Sequence, residues 1–277
     1  MSSFRKTILG TLAIAAFFVW YVVFASASGE LVVSFLDVGQ GDAIFIETPR
    51  GQQILIDGGS GRRVLSELSR VMPALDRSID LVISTHADLD HLGGLVEVLR
   101  RYSVDAVLEN GLKKETDAYP MWDKEIHLAN TPRYIARAGS RIMLDSGAYF
   151  DILGPLDDED KPNGMMVVGR LVYGKTEFLL TGDLEREDEL RLLASSLDIK
   201  SDVLKVAHHG SRFSTTDLFL EKVAPEYAII SVGAQNRYGH PHSETLDRLA
   251  HTSAKVLRTD TGGRITLVSD GASIRVE

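Results

Sequence analysis

Apolar residues along the chain recur with two short periods and, at one end, with none. Runs of aliphatic and β-branched residues predict strands at Leu31–Leu36, Ala43–Glu47, Gln53–Asp57, Ile79–Ser84, Tyr149–Leu153, Val167–Tyr173 and Glu177–Thr181. Further runs predict strands at Asp202–Ala207, Tyr227–Ser231, Lys255–Leu257 and Arg264–Val268. Apolar positions at helical spacing predict helices near Arg62–Val71, Leu95–Arg101, Glu185–Ser196, Thr216–Val223 and Ser243–Ala250. Strand and helix segments interleave with no linker between them, which predicts one α/β domain over residues 29–277. Two of the strands echo each other, each running into an acid beside glycine: Asp57-Gly58 and Gly182-Asp183. The segment Glu109–Arg137 gives no clear pattern, and Asp157–Asp160 reads as a solvated loop.

The stretch without a period is the N-terminus. Arg5 and Lys6 precede an uncharged, largely apolar run from Thr7 to Gly29 with no polar face. About 20 such residues cross a bilayer as a helix. The run exceeds the roughly 7–15 apolar residues of most secretory signals, yet Ala25-Ser26-Ala27 is an A-x-A cleavage triplet. Residues 1–28 are therefore expected to be an uncleaved transmembrane anchor or, alternatively, a signal peptide cut after Ala27. The next basic residue is Arg50, so the positive flank stays inside and residues 29–277 lie beyond the membrane.

Composition narrows the chemistry. The 277 residues are 44% hydrophobic and 25% charged, which excludes a disordered chain. There is no cysteine, so a thiolate nucleophile and a Cys-ligated zinc site are both excluded. Thirty basic residues against 39 acidic ones give a net charge of −9, which argues against a protein that embraces polyanions by bulk charge.

The densest chemical signal is Ser84-Thr85-His86-Ala87-Asp88-Leu89-Asp90-His91-Leu92-Gly93-Gly94. An apolar strand runs directly into two histidines and two aspartates, all ligand types for a divalent ion. Two further strand ends carry similar groups: Asp183 after Leu179-Leu180-Thr181-Gly182, and His208-His209 after Val203–Ala207. Each alone has an ordinary explanation, a helix cap or a loop histidine. Three in one domain point to a metal centre.

These residues resemble a metallo-β-lactamase-fold hydrolase, most closely the catalytic domain of ComEC-type competence proteins, which are linked to DNA uptake. The matching blocks are Phe35–Asp42, Leu55–Gly59, His86–Gly94, Leu180–Asp183, Lys205–Ser211 and Tyr238-Gly239-His240-Pro241. The resemblance implies a four-layer αββα sandwich and two divalent ions, zinc or manganese. His86 and Asp88 would hold the first ion, Asp90 and His91 the second, with Asp183 bridging and His208 or His209 adding a ligand. Asp57 matches a carboxylate that orients a ligand histidine. Two departures favour an oxygen-rich first site and manganese as a rival to zinc: Asp88 replaces a histidine, and no histidine falls between His127 and His208. The stretch Asn163–Met166 also lacks the serine expected there.

The implied mechanism is attack on a phosphodiester by a metal-activated hydroxide. Asp90 or Asp57 would manage protons, and Lys205 and His240 would hold phosphate or protonate the leaving oxygen. Ser211 and Ser214 are candidate hydrogen-bond donors to that phosphate. His127, His242 and His251 read as surface residues. The leading expectation is a membrane-anchored extracytoplasmic phosphodiesterase or nuclease acting on DNA. Competence proteins of this type fuse the domain to a many-helix channel, so a separate uptake channel is a candidate partner. The alternatives are a hydrolase of a small ester, lactone, β-lactam or phosphocholine substrate, and a non-catalytic nucleic-acid or partner-binding module.

Overall fold

The computed structural model describes residues 29–111, 116–156 and 166–277, with Arg5, residues 8–14 and Phe17 from the N-terminal stretch. Most of the apolar N-terminal run, the acidic Asp157–Asp160 stretch and residues 163–165 lie outside the described residues. Among the described residues no helix is long and apolar enough to cross a membrane.

Two mixed sheets form the body. In the first, strands numbered in chain order lie as β15 (Ile274–Val276), β14 (Ile265–Ser269), β1 (Leu31–Phe35), β2 (Ile44–Glu47), β3 (Gln53–Ile56), β4 (Ser78–Ser84), β5 (Ser103–Glu109) and β6 (Arg133–Ile135). The second runs β13 (Lys255–Arg258), β12 (Tyr227–Ile230), β11 (Val203–Lys205), β10 (Thr176–Leu180), β9 (Val168–Tyr173), β8 (Tyr149–Gly154) and β7 (Arg141–Met143). Strands β3 to β6 pair in parallel, as do β10 to β13, while β1–β3 and β7–β10 are antiparallel.

The period of two in each strand explains the layering. Ile54 and Ile56 of β3, with Phe178 and Leu180 of β10, fill the space between the sheets. The intervening Leu55 faces the other way, onto helices α1 (Arg63–Val71), α2 (Leu89–Leu99) and α3 (Ala118–Ala129). Leu179 likewise faces α4 (Arg186–Ala194), α5 (Asp217–Val223) and α6 (Ser243–Ala250), against Leu192, Phe219 and Leu249. Strands buried on both faces read as continuous apolar runs, and helix, sheet, sheet and helix form four layers.

Two expectations change. Helix α2 begins at Leu89, not near Leu95, so Asp90 and His91 sit in its first turn. Gly93-Gly94 looks like a loop in sequence but is helical, because α2 runs against the turn after β3. A Cβ on Gly94 would lie 1.8 Å from the Gly58 carbonyl oxygen, and the Gly94 N–H donates to Gly59 O at 2.8 Å. The unreadable segment Glu109–Arg137 contains the end of β5, helix α3 and strand β6. Ala118, Trp122 and Ile126, four residues apart, are its buried face.

Candidate metal centre

The parallel strands of both sheets end at one rim. After β3 the backbone turns through Asp57 in the left-handed region (φ 58°), a strained conformation that aims its carboxylate at the neighbouring strand end. Thr85 donates to it twice, from N–H at 2.8 Å and from Oγ1 at 2.6 Å. His91 Nδ1 lies 2.8 Å from the same carboxylate. The Nδ1–H therefore points to Asp57, and Nε2 faces the rim without a hydrogen-bond partner.

The same logic sets the other rings. Thr85 Oγ1 spends its only proton on Asp57, so it accepts from His86 Nδ1 at 2.9 Å, leaving His86 Nε2 with its lone pair. His209 donates Nδ1–H to the Ser231 carbonyl at 2.9 Å, and its Nε2 is buried without a hydrogen-bond partner. His208 and His209 both take left-handed backbone (φ 49° and 55°), which turns two adjacent rings towards the rim.

Asp183, just past β10, gathers these nitrogens. Its Oδ2 lies 3.2 Å from His91 Nε2, 3.6 Å from His209 Nε2 and 3.7 Å from His208 Nε2. Asp90 Oδ2 is 3.5 Å from His209 Nε2, and Asp88 Oδ2 is 3.6 Å from His86 Nε2. Most of these separations exceed a good hydrogen bond. They suit shared coordination, since donors about 2.1 Å from a tetrahedral ion lie about 3.4 Å apart. Buried Nε2 atoms with no hydrogen-bond acceptor and a buried Asp183 Oδ1 with no donor are what a cation would satisfy.

Without a cation, protons serve that purpose. Burial opposes charging His209, but Asp183 and Asp42 outweigh it and push its pKa up to about 9. His91 is raised well above the usual range, again against burial, by Asp183 and Asp57. Burial would raise Asp183, yet His209, His91 and Lys205 hold it well below the carboxylate range. Asp90 is lowered too, its burial offset by His209 and His91.

The other expected residues divide. Asp57 is turned inward and fully buried, so it positions His91 and does not reach a substrate. Lys205 is also fully buried, paired with Asp42 Oδ2 at 2.5 Å and donating to Gly182 O at 3.1 Å. It steadies the rim from beneath and offers no surface to a phosphate. Ser214 Oγ donates to the carbonyls of Ala207 and Ser211, and Ser211 Oγ accepts the Phe213 N–H. Both serines are buried and shape the turn. His240 does reach the rim, 5.7 Å from the His208 ring and 6.3 Å from His209 between centroids. Burial and the neighbouring His209, His242 and His208 hold its pKa down to about 4.

Asp42 is the residue that sequence reasoning passed over. It closes the matching block Phe35–Asp42 but was given no role there, and only the fold sets its Oδ1 3.4 Å from His209 Nδ1. Burial would raise its pKa, but Lys205 and His209 bring it down to about 2. Thr85 and Ser231 were also missed. Thr85 stands inside the quoted motif, whereas Ser231 acts through a backbone carbonyl that no sequence motif marks.

The family model for the metallo-β-lactamase superfamily matches residues 36–234. The chain belongs to this superfamily. It is 33% identical over 264 residues to ComE operon protein 3 of Bacillus subtilis, covering 88% of this chain and 34% of that protein. It is 34% identical over 239 residues to Recombination protein 2 of Haemophilus influenzae, covering 84% of this chain and 28% of that one. Competence protein ComA of Neisseria gonorrhoeae is 30% identical over 254 residues, at 90% and 34% coverage. The chain thus spans about a third or less of the length of these relatives. Among solved structures, the metallo-β-lactamase fold protein YhfI of Bacillus subtilis superposes with a TM-score of 0.57 at 13% identity, covering 86% of this chain and 99% of that one.

Superfamily members are generally metal-dependent hydrolases, and the fold binds divalent metals. In this chain the groups Asp90–His91–His209, Asp42–Asp183–His209 and Asp57–His86–His91 each bring ligand atoms within 4.8 Å of one another.

Proposed function

We propose that the chain is a divalent-metal-dependent phosphodiesterase that cuts DNA on the outer side of a membrane, tethered by its apolar N-terminal run. The observation that supports it most is Asp183, a buried carboxylate reaching imidazoles from both halves of the chain. Relatives named as a competence protein and a recombination protein support DNA as the substrate. Arg5 and Lys6, ahead of the uncharged run, support the orientation.

Two ions, zinc or manganese, would be held by His86, Asp88, Asp90, His91, His209 and Asp183, with the half-exposed His208 at the edge. An aspartate, Asp88, in place of a histidine on the His86–Asp88 side favours manganese there. Divalent ions in such a site lower the pKa of water towards neutrality and offset the charge of a phosphodiester. The protein's own part is preorganisation. Asp57, Thr85 and Ser231 fix the rings so that each Nε2 faces the rim. Asp90, ionised and partly open to solvent, is placed to accept a proton at Oδ2. His240, uncharged near neutral pH, offers a ring N–H to the leaving oxygen.

Incubation of the purified chain with linear DNA and Mn²⁺, Zn²⁺ or EDTA tests this, beside Asp90→Ala. Metal-dependent shortening that the variant lacks is expected. Intact DNA alongside turnover of nitrocefin or a small ester would replace this reading with a small-substrate hydrolase. DNA retained with nothing hydrolysed would indicate a binding module.

A further inference from the structure

The loop between β12 and α6 carries side chains that the metal centre does not use. Asn236 holds this loop, accepting the N–H groups of Tyr238 and His240 at 3.1 and 3.0 Å through Oδ1. Its Nδ2 donates to the carbonyls of Gly233 and His240 at 2.9 and 2.7 Å. The Gly233 N–H reaches Gln40 Oε1 at 3.3 Å, tying the loop to the turn that carries Asp42. The loop is therefore held in place beside the centre.

Rings run outward along this frame. His240 neighbours His208 and His209, and Tyr238 stacks on His240 with centroids 5.8 Å apart and planes 25° from parallel. Tyr238 is 51% exposed. The Arg237 guanidinium lies 5.3 Å from its ring centroid and donates to its Oη at 3.2 Å. The loop after His209 ends in a similar pair, Arg212 and the exposed Phe213. Single exposed aromatics are common and need no explanation. An exposed aromatic that continues a ring series out of a metal centre, with a guanidinium over its ring, is a different matter.

We propose that Tyr238, with Arg237, is a stacking platform for an unpaired base beside the phosphate being cut, so that the chain prefers single-stranded DNA to duplex. This rests on the phosphodiesterase reading. In a nucleotide the base lies one sugar away from the phosphate, and the ring series spans that step from the centre outwards. Inside a duplex both faces of a base are covered by its neighbours, so only an unpaired or terminal base can stack on a protein ring. Stacking also suits an acidic chain, because base–aromatic contact needs no broad basic groove. Binding then varies with salt less steeply than it would through many phosphate contacts.

The test uses the full 277-residue chain in EDTA with a single-stranded oligonucleotide carrying 2-aminopurine, whose fluorescence is quenched by stacking. The wild type is expected to quench it and to bind the single strand more tightly than a blunt duplex. Tyr238→Ala should abolish the quench and weaken binding about 5- to 150-fold, with Tyr238→Phe restoring both. Tyr134→Ala, at an exposed tyrosine on edge strand β6, should change neither. Equal affinity for duplex, or Tyr238→Ala binding like wild type, overturns the platform. Turnover of bis(p-nitrophenyl) phosphate by the Mn²⁺-loaded wild type separates the two proposals. Turnover with Tyr238-independent binding sinks the platform alone, whereas no turnover removes the phosphodiesterase reading beneath it.

Discussion

The two halves of the molecule build the same pattern and use it differently. In the first sheet the β2–β3 hairpin is followed by parallel β4, β5 and β6; in the second, the β9–β10 hairpin is followed by parallel β11, β12 and β13. In both, the strand closing the hairpin runs into an acid beside glycine, and the next strand runs into histidine. Yet Asp57 faces the protein and Asp183 faces the rim. The difference lies in the donors nearby. Thr85 supplies an N–H and a hydroxyl that, with His91, occupy Asp57 fully. In the second half the residue before the first histidine is Ala207, which has no hydroxyl to donate, and Asp183 keeps an oxygen without a donor. Whether a strand-end carboxylate positions a ligand or becomes one is decided by how many protein donors reach it.

Exchanging those situations should have graded effects. Asp183→Asn removes the charge shared by three imidazoles, and metal-dependent DNA cleavage should fall below detection, with bound metal lost by elemental analysis. Lys205→Met leaves Asp42 buried without its counter-charge and should cost about 3–5 kcal/mol in urea unfolding. Asp57→Asn, which acts only through His91, should weaken metal binding about 10- to 100-fold in chelator competition while the fold persists. A loss as complete as that of Asp183→Asn would erase the distinction drawn between the two acids. His209→Ala should lower metal affinity at least about tenfold more than His208→Ala, since only His209 has its Nδ1 fixed by a carbonyl.

The smallest effect is one of pH. In metal-free protein the pKa of His209 stands at about 9, above its ordinary value, so its charged form contributes stability that is full below about 6.5. That contribution should fade as pH rises through about 9, visible as a falling melting temperature in EDTA. Metal must displace the same proton, so affinity should rise about tenfold per pH unit for each proton released, levelling near 9. An affinity that does not vary between pH 6 and 8 would mean that His209 is not displaced.

The sandwich and most of its rim were legible because the apolar runs Ile54–Ile56, Leu81–Ile83 and Phe178–Leu180 stop abruptly near polar ligand types. The start of α2 was not. Gly93-Gly94 has poor helix propensity, and only the close approach of Gly58 explains why the helix tolerates it. Helix α3 was hidden by mixed charge on its exposed face, although Ala118, Trp122 and Ile126 keep the spacing of a buried stripe. Lys205 carried a readable position and a misleading role, since a lysine beside a metal motif suggests a phosphate contact until its pairing with Asp42 is known. Asp42 closed a block already matched in sequence, but its pairing with Lys205 and His209 could be found only by folding the chain.

Lys205 has a further consequence when the rim is counted as charge. Five carboxylates gather there among the described residues, those of Asp42, Asp57, Asp88, Asp90 and Asp183, and this ammonium is paired with the first of them. The buried ammonium thus acts as a fixed cation that no chelator can strip. It moderates repulsion among the acids in metal-free protein, and it keeps one positive charge beneath the rim whatever the metal load.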